Sequence, residues 1–135
     1  MGKYKNLQDD VFSIFGASTW EAENIKTYPA DMVALNTQGE YLRIDIIPSG
    51  EGVNLGSTSG ILMIDIFTSA GNGPNRATLL ADKLDEYLVG RSLSTVSGNV
   101  TQFFDSAMEF RGRDPDNKSL SRSVYSIPFN FNGVS

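Results

Sequence analysis

The chain predicts an α+β fold: a single mixed, largely antiparallel β-sheet with two α-helices packed on one face. Three observations carry this reading. Period-two alternation of apolar and polar residues recurs along the chain, two other segments repeat apolar residues at helical spacing, and glycine or proline punctuates the boundaries. With 135 residues, 40% of them hydrophobic, the chain suits one folding unit over 1–135 that buries about 68% of its unfolded surface. No repeat, low-complexity tract or linker divides it.

Leu7, Val11, Ile14 and Phe15 recur at i, i+4, i+7 and i+8, which predicts an amphipathic helix ending near Gly16. The pattern weakens over 20–25, and 31–35 follows as a short strand between Pro29 and a turn at 36–39. Over 41–47, Leu42, Ile44 and Ile46 share one face and Arg43 and Asp45 the other, the alternation of a half-buried strand that Pro48 stops. A glycine-rich loop at 49–59 leads to 61–67, where Asp65 is the sole charge, so this strand is central. Eleven residues is long for such a connection, a length that goes with a functional or a mobile loop. Pro74 then opens a helix with a buried stripe of Ala77, Leu80, Ala81, Leu84 and Leu88, and Gly90 closes it. Strands follow at 100–104 and 108–111. A last strand aligns Tyr125, Ile127, Phe129 and Phe131 on one face, tying the C-terminal segment into the sheet.

Eleven Lys and Arg against sixteen Asp and Glu leave a net charge of -5, which disfavours an electrostatic grip on nucleic acid or an anionic membrane. The chain holds neither cysteine nor histidine. That removes thiol nucleophiles, imidazole acid/base chemistry, the usual zinc sites and any disulfide framework. No signal-peptide or transmembrane stretch is present in the sequence, so an intracellular, soluble product is expected. The glycosylation patterns at Asn99 and Asn117 carry no information without a secretory route.

Gly71 and Gly73, between a strand and a helix, invite a phosphate-loop reading. The Lys and Ser/Thr of a P-loop and the third glycine of a dinucleotide fingerprint are missing, so a tight turn explains the same residues. No cofactor follows. Asp82, Asp85 and Glu86 lie opposite the apolar stripe and read as a solvated face; Asp9 and Asp10 read as early-turn charges complementing the helix dipole. Asp45 and Asp65 interrupt apolar strands, and a buried carboxylate needs a partner, for which Arg43 is available. No base, nucleophile or anion hole completes a catalytic or metal site around them. The polar arm 111–122, with a turn composition at Asp114, Pro115 and Asp116, is long enough to reach a neighbour. The candidate contact residues are therefore Arg43, Asp45 and Asp65 on the sheet, Glu51 and Asn54 in the glycine-rich loop, and Arg111, Arg113, Asp114, Asp116 and Lys118 in the arm.

The order of segments, with YLRIDIIPS at 41–49, GILMIDIFTSAGNGPNRATLLADKLDEYL at 60–88 and VYSIPFNF at 124–131, resembles the tail terminator family of long-tailed, lambda-like bacteriophages. That resemblance implies a structural virion protein with no catalysis: a ring, usually of six subunits, that caps the tail tube, stops its polymerisation and presents a surface to head-completion or neck proteins. It implies residence at the head-proximal end of the tail, with assembly in the host cytoplasm, and no membrane. Six copies at -5 carry -30, and an acidic lumen lets DNA pass without adhering. Two other readings compete: a head-tail connector of the same particle, and a small carboxylate-dependent enzyme built on Asp45 and Asp65.

Overall fold

The computed structural model describes residues 3–29, 40–51, 57–71, 74–94, 100–115 and 120–132. The elements run α1 (Lys3–Phe15), α2 (Ser18–Glu21), β1 (Thr27–Pro29), β2 (Tyr41–Glu51), β3 (Thr58–Ser69), α3 (Asn75–Leu88), β4 (Ser92–Ser94), β5 (Val100–Phe103), β6 (Ala107–Arg113) and β7 (Leu120–Asn132). They form one sheet in the order β1-β2-β3-β7-β5-β4, with β6 also paired to β7. Only β1 and β2 are parallel; every other pair is antiparallel. The mixed, largely antiparallel sheet is thus the one the alternation predicts. The expected strand at 31–35 lies outside the described residues.

β3 and β7 pair over twelve registers, from Thr58 opposite Phe131 to Ser69 opposite Leu120, which makes β3 central between β2 and β7. Because side chains alternate across a strand, Leu62, Ile64 and Ile66 join Leu42, Ile44, Tyr125, Ile127, Phe129 and Phe131 on one face. α1 covers it with Leu7, Val11 and Ile14, and α3 with Ala77, Leu80, Ala81, Leu84 and Leu88, so both helices occupy the same side. Gly90, at φ +71, takes the left-handed conformation just past α3.

Where the sequence pattern weakens, Trp20 does the packing. It is 1% exposed, meets Phe15 and Tyr87 edge to face at 5.2 and 5.0 Å, and donates from Nε1 to Thr27 Oγ1 at 3.0 Å. The short α2 and β1 that carry these residues were not expected.

Pro48 does not stop β2. The strand runs on to Glu51 through a register shift between Pro48 and Gly50, and β1 reaches only Ile44, so among the described strands Pro48 sits on an unpaired edge where its missing N–H is tolerated. Opposite it, Gly60 allows the two backbones to approach: a Cβ there would stand 2.1 Å from the Ile47 carbonyl oxygen and 2.8 Å from Pro48 Cα. The segment 49–59 is consequently not an eleven-residue loop. Gly50 pairs with Ser59 and Glu51 with Thr58, leaving a shorter connection whose residues 52–56 lie outside the described ones. The arm 111–122 shortens for the same reason, since β6 extends to Arg113 and β7 begins at Leu120, with a bulge between Phe110 and Gly112.

Candidate assembly surfaces

The sheet face opposite the helices has two halves. At one end Tyr41, Phe67 and Leu120 form a small buried cluster with Tyr28 packed on it, and Tyr41 stacks on Phe67 at 4.5 Å. Beside it Asp65, 8% exposed, sits between two arginines. Arg43 donates from Nε (2.9 Å) and Nη2 (2.6 Å) to one carboxylate oxygen, and Arg122 from Nε (3.1 Å) and Nη2 (2.9 Å) to the other. The register explains the meeting, because Arg43 lies directly across from Asp65 and Arg122 is diagonal to it on β7, opposite Phe67. The Arg43 guanidinium also lies 5.2 Å from the Phe67 ring centroid. Burial raises the Tyr41 hydroxyl pKa, a direction the neighbouring Arg43 opposes and the Asp114 and Asp65 carboxylates reinforce.

At the other end the face is apolar and open. Ile47, Ile61 and Pro128 are register partners across β2, β3 and β7; the two isoleucines are 39% and 40% exposed, and Phe104 nearby is 41% exposed.

The two sheet carboxylates differ in their surroundings. Asp65 is held by Arg43 and Arg122, whereas Asp45 is exposed and stands across from Met63. Glu51 closes the β2 ladder opposite Thr58. Arg111 is exposed, its Nε 3.3 Å from Glu109 Oε1. Arg113 lies across from Ser121. Asp114 is buried, its N–H donating to the Leu120 carbonyl at 2.9 Å. Asn54, Asp116 and Lys118 lie outside the described residues.

Two further carboxylates differ from the sequence reading. Asp10 is not an exposed dipole charge: it is 3% exposed and accepts from Thr101 Oγ1 at 2.9 Å, joining α1 to β5. Burial raises its pKa, partly offset by that hydrogen bond. Asp85 is not a solvated surface charge either. It accepts from Tyr125 Oη and Ser106 Oγ, both at 2.6 Å, tying α3 to β7 and to the β5–β6 connection. Burial first, and then the bond to Asp85, push the Tyr125 phenol well above its ordinary range. Asp82 and Glu86 do face solvent. Among the described residues no group of three or more acidic side chains is placed to hold a metal ion. No described helix is long and apolar enough to cross a membrane. A groove of about 490 Å³ between α1 and α3 is lined by Ser13, Ala17, Thr19, Glu86, Tyr87 and Arg91 among others, and Tyr87 Oη donates to the Thr19 carbonyl at 3.1 Å and to Glu23 Oε2 at 3.3 Å. Residues 72–73 of the glycine turn are outside the described set; Gly71, at φ +93, has the left-handed conformation a turn requires.

No protein-family model matches the chain, and no curated protein does. Solved structures do share its fold. One, known only by a sequence identifier, superposes with a TM-score of 0.66 at 15% identity, over 95% of this chain and 97% of the other. A second is a chain from the virion of a native gene transfer agent particle, with a TM-score of 0.64 at 18% identity, over 94% and 95%. At such identities the shared property is the fold, and it spans both chains almost end to end.

Proposed function

We propose that this chain is a structural virion protein of a phage-related particle, and specifically a tail terminator: a ring of identical subunits, six in the expected form, that caps the tail tube, ends its polymerisation and offers a surface to the head-completion proteins. The observation that carries the reading is the near full-length likeness to a virion chain of a gene transfer agent particle, taken together with the segment order that resembles the terminator family. The surfaces are consistent with it. Of the two carboxylates that suggested catalysis, Asp65 is engaged by Arg43 and Arg122 within the fold, and the sheet keeps an apolar exposed patch of the kind that marks protein contacts. The net charge of -5 per chain suits a channel through which DNA slides.

Negative-stain images and light scattering of the purified protein, alone and mixed with tail tubes, test the proposal. Rings of uniform size seated at one tube end are the expected result. A protein that ignores tubes but binds portal or adaptor rings is a connector instead, and one that stays monomeric with both is neither.

A further inference from the structure

β6 pairs with β7 on one side, and no described strand pairs with its other side. The segments outside the described residues are too short to fill that place. Residues 30–39 lead from Pro29 on β1 to Glu40 beside β2, a connection that spans at most about 40 Å fully extended. Passing from β1 to the far side of β6 and back to β2 crosses about 43 Å of sheet at the usual strand spacing, before any residue runs along the edge. Residues 52–56, 95–99 and 133–135 adjoin the end of the sheet at Phe131 and Asn132, about 30 Å along β7 from Ser123, and the longest of them reaches about 20 Å. Residues 116–119 join β6 to β7 directly. The outer edge of β6 is therefore open to a strand from elsewhere, and Phe110 on it is 47% exposed.

The backbone of Phe110 faces that open edge. On β7, the carbonyls of Leu120 and Pro128 accept from Asp114 and Phe104 at 2.9 and 3.0 Å. Alternate residues of a strand direct their N–H and C=O groups to opposite sides, so the even-numbered residues of β7 serve the β5–β6 side and the odd-numbered ones serve β3. Phe110 is the register partner of Ser123 and uses neither of its groups on β7; both point outward. The geometry points to β6 pairing with β6 of a second copy, antiparallel about a two-fold axis at Phe110, so that two sheets join into one. Each Phe110 then exchanges both backbone hydrogen bonds with its counterpart, and Glu109 of each copy stands across from Arg111 of the other. Charge selects this register. An axis at Glu109 or at Arg111 sets like charges opposite, which is destabilising, whereas the axis at Phe110 makes two opposite-charge pairs. Glu109 and Arg111 share a face, with Arg111 Nε 3.3 Å from Glu109 Oε1, and their side chains are 65% and 53% exposed. The two Phe110 rings meet on the other face. The bulge at Arg111 keeps the ladder short and centred on Phe110. Such a contact is isologous and closes at two copies, so it goes beyond the ring reading and does not need it.

Charge reversal tests the pairing. Sedimentation of the full-length protein in the micromolar range is expected to show a dimer of the 14.7 kDa chain. Glu109→Arg and Arg111→Glu, each checked for an unchanged far-ultraviolet circular dichroism spectrum, place like charges across the axis and should each weaken that dimer by about tenfold. Both substitutions in one chain rebuild the opposite-charge pairs and should restore it, a rescue that a structural role within the monomer does not produce. Phe110→Cys covers the case in which a reversal fails to fold. A residue on the axis faces its own counterpart at the Cα separation a disulfide needs, and the chain has no cysteine of its own. Under mild oxidation Phe110→Cys should therefore cross-link to a dimer faster than Leu79→Cys, on the exposed side of α3. Wild-type protein that stays monomeric, a dimer indifferent to both reversals, or equal cross-linking of the two cysteine variants overturns the pairing. Rings that still seat on tail tubes in any of those cases leave the terminator reading standing. A dimer that is lost and rescued as expected, in protein that ignores tubes, keeps the pairing and removes the terminator reading.

Discussion

Ile61 and Ile64 lie three residues apart on β3 and point to opposite faces of the same sheet. Ile64 is fully buried beneath α1 and α3, while Ile61 is 40% exposed. The helix-covered face is a continuous apolar layer in which the Asp10 and Asp85 carboxylates are hydrogen-bonded, while the buried hydroxyls of Thr68 and Ser123 have no hydrogen-bond partner among the described residues. The opposite face combines one ion cluster with an apolar row that the described part of this subunit leaves open. The contrast teaches where each face draws its stability: the first from burial within the chain, the second from a cross-strand ion cluster at one end and, at the other, from whatever contacts a neighbour supplies.

Substituting the two isoleucines breaks or upholds that contrast most sharply. Ile64→Ala removes buried methylenes and leaves a cavity, so about 3 kcal/mol should be lost in urea unfolding. Ile61→Ala should cost below about 1 kcal/mol in dilute protein. Equal losses would mean that the open face is closed within the monomer. A loss at Ile61 that grows with protein concentration would show it closed by assembly.

Gly60→Ala is next in size. The Cβ at 2.1 Å from the Ile47 carbonyl oxygen meets the backbone of Ile47 and Pro48 and has no rotamer to escape through. A loss of about 2–3 kcal/mol is expected, with amide exchange quickened along the β2–β3 ladder; unchanged exchange there would show that the close approach carries no strain. Smaller again is Asp65→Ala, which leaves Arg43 and Arg122 without their shared acceptor. The arginine side chains are 33% and 35% exposed, so water takes up part of the loss and about 1–2 kcal/mol remains. Lys5→Ala, which breaks an ion pair exposed on both sides, should stay within about 0.5 kcal/mol in urea unfolding.

The sequence made the helix-covered face legible and the other face only in part. The stripes of α1 and α3 and the alternations of β2 and β7 are local patterns, and the structure places each of their apolar residues on the predicted side. That Asp65 needs a partner was also readable, because a lone charge in an apolar strand has to be compensated. Arg122 was not readable as that partner, since it depends on β7 lying beside β3, a matter of sheet order rather than spacing. Trp20 was missed because α2 and β1, of four and three residues, are too short to show a period. The strand through Pro48 was missed because proline halts a paired strand, and only the sheet order shows this edge unpaired. Asp10 fits an exposed helix position until β5 brings Thr101 against it.

Asp10 gives the effect most dependent on pH. Its folded-state pKa is raised above the ordinary 3.8, chiefly by burial, so over the window from that value upward the folded chain holds a proton more often than the unfolded chain. Stability linked to this group is therefore greatest at low pH, falls as pH rises through the raised value, and stays reduced at neutrality. Asp10→Asn keeps an acceptor for Thr101 and carries no charge to bury. It should exceed the wild type by on the order of 0.5–1 kcal/mol at pH 7, with the gap closing as pH falls toward the ordinary carboxylate value. Thermal unfolding of the two proteins across that range measures the gap directly. A gap of constant size would place the effect in packing, and a gap that widens toward acid would mean that the Thr101 hydrogen bond, not burial, governs the group.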